Sequence, residues 1–170
     1  MGKRSNFERM ERDFYPTPYE AVIPLLPYLS PITMFCEPCA GNGVLIRHLE
    51  NAGHFCVHAR DIEPMASGID KADALDEYEF FGDCFITNPP WDRKILHPII
   101  EHLSGTAPTW LLFDADWMHT KQSSELMKYC SDIVSVGRVK WIADSKMTGK
   151  DNCCWYRFSA IKASTVFHGR

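Results

Sequence analysis

No apolar run in this chain approaches the roughly 20 residues that a membrane-spanning helix needs. The polar, charged start MGKRSN lacks the apolar stretch of a secretory leader. It also opens like a myristoylation signal, but Asn6 stands where that signal wants Ser or Thr. A disulfide framework is missing too. The seven cysteines are odd in number, and several lie inside apolar runs (Cys56, Cys84) or side by side (Cys153, Cys154). That is the usage of reduced thiols in a cytoplasmic protein. Cys36 and Cys39 form one C-x-x-C pair, and no second pair completes a zinc site, so neither a metal nor a membrane is expected. Internal repeats and low-complexity segments are absent as well. Positive charge is in short supply, with a net charge of −4, but the deficit is uneven. Residues 31–120 hold five basic and fourteen acidic side chains, a balance of −9. Residues 121–170 hold nine basic and four acidic, a balance of +5. A basic C-terminal third fits either a polyanion docked on one face or an ordinary solvated surface.

What is present is an ordinary globular composition, 45% hydrophobic and 24% charged over 170 residues. That suits one domain with a sizeable core, read as residues 14–170 behind a basic arm, 1–13, carrying Lys3, Arg4, Arg9 and Arg12. Thr17, Pro18 and Glu20 have the spacing of an N-cap, a first helical proline and a capping box. They predict a helix that Pro24 and Pro27 kink or shorten. Strands are expected at 32–36, 55–59, 81–87, 109–113, 133–142 and 153–161, with helices at about 44–52, 95–103 and 119–130. Residues 65–82 read as loop. Strands alternating with helices argue for an α/β fold, a mainly parallel sheet with helices on both faces and a C-terminal antiparallel hairpin.

Two constellations carry chemistry. The strand at 32–36 runs into Glu37-Pro38-Cys39-Ala40-Gly41-Asn42-Gly43 and then a helix. Gly41 and Gly43 let a ligand approach the backbone at a helix start. Asp61 ends the next strand, where an acid commonly accepts hydrogen bonds from a ribose. A third glycine is lacking, so a nucleoside without phosphate fits better than a dinucleotide, the alternative being a tight turn without ligand. The second constellation is Asn88-Pro89-Pro90-Trp91. Two prolines without N–H groups must end the strand, which leaves a stiff polar tip at a carboxyl strand end, where ligands of α/β sheets bind. The Asn88 side-chain oxygen and the Pro89 carbonyl could hold the two hydrogens of a flat amino group such as adenine N6. That would pull the nitrogen toward tetrahedral geometry and free its lone pair. Trp91 could stack on the flipped base.

Taken together these pieces resemble the S-adenosylmethionine-dependent amino-methyltransferases, and most closely the small DNA adenine-N6 methyltransferases of the type often encoded by phages. Phe14-Tyr15-Pro16-Thr17-Pro18 is similar to the family's N-terminal cofactor motif, 37–43 to its glycine motif and Asn88-Pro89-Pro90-Trp91 to its catalytic motif. The resemblance implies a Rossmann-like class I methyltransferase fold with a seven-stranded sheet, and S-adenosyl-L-methionine as cofactor. Thr17, with Tyr15 or Pro16, would hold its methionine end, Glu37 and the backbone at Gly41 and Gly43 would line the same end, and Cys39 and Ala40 would be further cofactor contacts. Asp61 would take the ribose hydroxyls and Asp73, beside Ala74, the adenine amine, with Ile62 and Asn88 as further cofactor contacts. Phe85 and Ile86 either pack beneath the adenine ring or are plain core.

The implied activity is methyl transfer to adenine N6 in double-stranded DNA, in a bacterial or phage-infected cytoplasm. Only about 80 residues follow Trp91, too few for a separate target-recognition domain. Sequence choice then falls to loops or to a partner subunit, or is slight, with the basic arm (Lys3, Arg4, Arg9, Arg12), Arg93, Lys94, Lys146 and Lys150 as candidate phosphate contacts. Asp116 or Trp117 is expected either to support the catalytic loop or to cap the following helix. Methylation of RNA adenine or of a protein glutamine remains an alternative, as does a non-enzymatic cofactor-binding module that holds nucleic acid.

Overall fold

A computed structural model of the chain describes residues 15–142, 149 and 151–170. Phe14, the basic arm 1–13, Lys146 and Lys150 lie outside the described residues. One sheet runs through the molecule. β1 (Met34–Glu37), β2 (Phe55–Asp61), β3 (Asp70–Lys71), β4 (Cys84–Thr87) and β5 (Thr109–Asp114) are parallel. β7 (Asn152–Phe158) is antiparallel to β5 and to β6 (Cys130–Arg138), and β8 (Val166–His168) lies parallel to β6. The order across the sheet is β3-β2-β1-β4-β5-β7-β6-β8. Among the described residues the expected seven strands are therefore eight. β3 and β8 are two and three residues long, too short to show a period in the sequence.

Period-two alternation divides the core. Phe35, Ile86, Trp110, Leu112 and Trp155 face the side covered by α1 (Tyr19–Val22) and α2 (Val44–Asn51). Cys36, Phe85, Leu111, Phe113 and Tyr156 face the side covered by α3 (Arg93–Thr106). Phe85 and Ile86 thus point to opposite faces, both fully buried, as strand geometry requires. β5 is buried along five of its six residues, the mark of a central strand covered on both faces.

Two helix expectations need correction. The capping box at Thr17 and Glu20 does not form: the residue preceding α1 is Pro18, with no side-chain cap. Both side chains are engaged elsewhere, Thr17 with Asn88 and Glu20 with the backbone N–H of Lys140 at 3.2 Å. The helix expected over 119–130 is broken into 3₁₀ turns at 115–119 and 121–123 and a short α4 (Ser124–Met127). Hydroxyls compete with helix formation there: Thr120 donates to Trp117 O, Ser123 to Thr120 O and Ser124 to Lys121 O, at 2.9, 2.7 and 2.9 Å. No helix of the described residues is long and apolar enough to cross a membrane. All seven cysteines are free thiols.

Candidate active site

β1, β2, β4 and β5 deliver their last residues to one edge of the sheet. Glu37 ends β1, Asp61 ends β2, Asn88 follows β4 and Asp114 ends β5. The glycine loop rises from β1 with Gly41 and Gly43 both in the left-handed region (φ 53° and 71°), which glycine adopts without strain. Asp61 locks this loop to β2: one carboxylate oxygen accepts from Gly41 N at 2.7 Å and the other from Glu63 N at 2.8 Å. Each oxygen keeps a further lone pair for a hydroxyl. Ile62 next to it is exposed.

Glu37 is buried behind the loop, 2% exposed. Its Oε2 has no hydrogen-bond partner among the described residues, whereas the buried Thr87 hydroxyl, one residue before Asn88, meets the Cys39 thiol. Buried polar atoms are nearly always paired, so the Glu37 oxygen marks an unmet demand for a polar ligand. Burial, reinforced by the Asp61 charge, pushes the Glu37 carboxyl well above its ordinary range. Asp73 is exposed and caps its own turn, accepting from Leu75 N at 2.9 Å, while Ala74 is buried against the core.

Asn88 is gripped from three sides. Its Nδ2 donates to Thr17 Oγ1 at 3.1 Å and to Tyr15 O at 3.4 Å. Its Oδ1 accepts from the Trp91 indole N–H at 3.2 Å. The amide orientation follows from chemistry: a carbonyl can only accept and an indole N–H can only donate. The N-terminal and proline motifs, 71 residues apart in the chain, therefore meet in one hydrogen bond. Trp91 also donates to Leu112 O at 3.2 Å and lies edge-to-face against Trp141, with centroids 5.6 Å apart. Sequence reading placed Trp141 within a strand, but β6 stops at Arg138 and the chain then folds across Trp91.

Asp92 caps α3 by accepting from Lys94 N at 2.8 Å, which leaves Arg93 and Lys94 exposed just beyond the motif. Arg93 donates to Gln122. Trp117 is buried and donates to His97 Nε2 on α3 at 2.9 Å, while the Asp114 carboxylate caps the turn through Asp116 N at 3.0 Å. Trp117 thus ties the β5 exit to α3. Burial, with Arg93 nearby, lowers the His97 pKa, which favours the neutral imidazole that accepts this bond. A hollow of about 370 Å³ on the flank of β2, lined by Val57, His58, Arg60, Glu77, Glu79 and Phe81 beside Cys36, contains none of these motif residues. Among the described residues no group of three or more His, Cys, Asp or Glu could hold a metal ion.

No protein-family model matches the sequence, and no curated protein does. Solved structures do. A protein named as a candidate RNA methyltransferase from Pyrococcus horikoshii aligns over 95% of this chain and 94% of its own, with TM-score 0.60 and 16% identity. A dimethyladenosine transferase from Plasmodium falciparum aligns over 86% of this chain and 62% of its own, with TM-score 0.53 and 12% identity. The M protein of the type I restriction enzyme EcoKI aligns over 89% of this chain and 44% of its own, with TM-score 0.54 and 13% identity. The chain spans less than two thirds of the length of the last two. Likeness at these identities speaks to architecture alone, and the α/β architecture is one that this chain shares with these methyltransferase structures.

Proposed function

We propose that this protein is an S-adenosylmethionine-dependent methyltransferase acting on a nucleobase amino group, with adenine N6 of double-stranded DNA as the substrate. The observation that carries the reading is the fixed Asn88 carboxamide beside Pro89, at the same sheet edge as the glycine loop and Asp61. The residues fit the cofactor. The unpartnered Glu37 Oε2, behind two left-handed glycines, suits the charged amine of its methionine end, and Asp61 has lone pairs left for ribose hydroxyls. Tyr15, Pro16, Thr17, Cys39 and Ala40 would complete that end, with Ile62, Asp73 and Ala74 around the nucleoside.

When bound, the cofactor supplies a methyl group on a positively charged sulfur that departs as a neutral thioether. The chain's part is orientation. Asn88 Oδ1 has one lone pair on Trp91 and a second free for an amino hydrogen, and Pro89 O takes the other hydrogen. Both acceptors are neutral. They hold the nitrogen toward tetrahedral geometry, and the proton lost as it becomes cationic passes to water. Arg93 and Lys94, with Lys146 and Lys150, would position the nucleic acid through its phosphates. The DNA reading is supported by the likeness to the restriction-enzyme M protein, and a partner subunit for target choice is compatible with it. RNA adenine is the second reading, supported by the whole-length likeness to the Pyrococcus protein.

The deciding experiment incubates the protein with tritiated S-adenosylmethionine and DNA, RNA or protein, then digests the product and identifies the labelled residue. N6-methyladenine in DNA is expected, with Asn88→Ala reducing transfer at least a hundredfold, the scale on which loss of one preorganised transition-state contact is felt. Label only in RNA or only in protein would overturn the DNA assignment.

A further inference from the structure

We propose that Trp91 is a positioning residue whose indole N–H sets the orientation of the Asn88 carboxamide, rather than simply a flat surface for the base. The inference rests on the proposed methyl transfer for its consequence, but its geometric part stands alone.

The backbone ladder shows why a donor is needed at this spot. β4 and β5 pair in parallel with Phe85 opposite Thr109, Ile86 opposite Trp110 and Thr87 opposite Leu111. Phe85 N donates to Pro108 O at 2.9 Å. In a parallel ladder the donating residues recur every second position. Residue 89 would therefore donate to Leu112 O, but residue 89 is proline and has no N–H. The Trp91 indole fills that vacancy, with Nε1 at 3.2 Å from Leu112 O. The same N–H is shared with Asn88 Oδ1, also at 3.2 Å. The proline that stiffens the motif thus creates an orphan carbonyl, and the group that satisfies it also fixes the Oδ1 end of Asn88, as the Tyr15 carbonyl and the Thr17 hydroxyl fix the Nδ2 end. Were the amide rotated by half a turn, its NH₂ would confront the indole N–H, donor against donor. A phenylalanine has no donor at that ring position, and a tyrosine hydroxyl projects from the far end of its ring. Trp141 packs against the indole at an interplanar angle of 85° and limits its movement.

The test has two readouts. The first is the nitrogen–proton NMR signal of the Trp91 indole, identified as the one lost in Trp91→Phe. It should shift upfield in Asn88→Ala, where the shared acceptor is gone, and downfield in Asn88→Asp, where the acceptor is charged. A signal unmoved by both would overturn the proposal. The second replaces Trp91 with 3-benzothienylalanine, which keeps the ring shape and puts sulfur in place of the N–H. The expected result is kcat reduced about tenfold, the worth of one well-placed hydrogen bond, with cofactor Kd and substrate KM within about twofold. An unchanged kcat would overturn it, as would a loss confined to KM or Kd. If the unsubstituted protein transfers no methyl group to any substrate, the functional reading falls, while the indole signals still decide whether Trp91 orients Asn88.

Discussion

Glu37 concentrates the electrostatic tension of the site. Burial and the Asp61 charge raise its folded-state pKa above the ordinary 4.5. The folded chain therefore keeps a proton that the unfolded chain releases. The associated stability is fully present below pH 4.5 and is lost as pH rises toward the folded-state pKa. Glu37→Gln has no proton to release, so its urea midpoint should gain on the wild type as pH increases from about 4.5, and match it below. Cofactor affinity should move the other way. A cationic amine favours the ionised carboxylate, so the wild-type affinity should rise with pH while that of Glu37→Gln stays flat. At neutral pH the variant should bind about tenfold more weakly or worse, as the loss of a charged hydrogen-bond partner implies. Titration calorimetry across pH measures both trends, and equal pH slopes in the two proteins would remove Glu37 from the cofactor site.

At the scale of elements, the most instructive case is the entry to α1. Thr17, Pro18 and Glu20 spell a helix start, and a short helix does begin at Tyr19, but neither polar side chain caps it. Their partners are Asn88 and Lys140, 71 and 120 residues away. Capping signals are local, and nothing in the spacing of three residues reports a remote competitor. The same blindness put Trp141 in a strand, because its contact with Trp91 is tertiary. By contrast, the end of β4 was legible, since two prolines forbid a ladder regardless of surroundings, and so was the glycine loop, where positive φ is needed at Gly41 and Gly43. The reassignment of Thr17 predicts that Thr17→Ala costs about 1 kcal/mol in urea unfolding, the value of one hydrogen bond. It should leave the helical circular dichroism unchanged, because no cap is lost. Thr17→Ser should restore the stability, and the methyl-transfer rate should track it, since the hydroxyl holds the Nδ2 end of Asn88. A drop in helix content in Thr17→Ala would return the residue to its capping role.

The whole molecule has two sheet edges, and they are protected differently. β3 is a two-residue edge made of exposed Asp70 and Lys71, short and charged, which discourages pairing with another chain. The other edge would be the whole of β6, nine residues long, had β8 not paired with its stretch Asp132–Val134. β8 is held by its ladder and by side chains. Thr165 Oγ1 donates to Cys130 O at 2.8 Å, His168 Nε2 lies 3.0 Å from Asp132 Oδ1, and the His168 ring packs on Tyr28 with centroids 4.4 Å apart. Arg170 lies over the β6 bulge, where a Cβ on Gly137 would come within 2.8 Å of its guanidinium. Ending the chain after Ser164 should therefore cost about 2 kcal/mol, a few hydrogen bonds' worth, and lower Tm by about 4–8 °C for a chain of this size. The truncated protein should also self-associate with rising concentration, because a long edge strand is a template for pairing. Methyl transfer per folded molecule should be unaffected, since β7 and β6 separate β8 from the strands that carry the site. Light scattering, thermal melts and a rate normalised to folded protein distinguish the outcomes. A truncated chain that stays monomeric at unchanged Tm would mean that β6 protects its own edge.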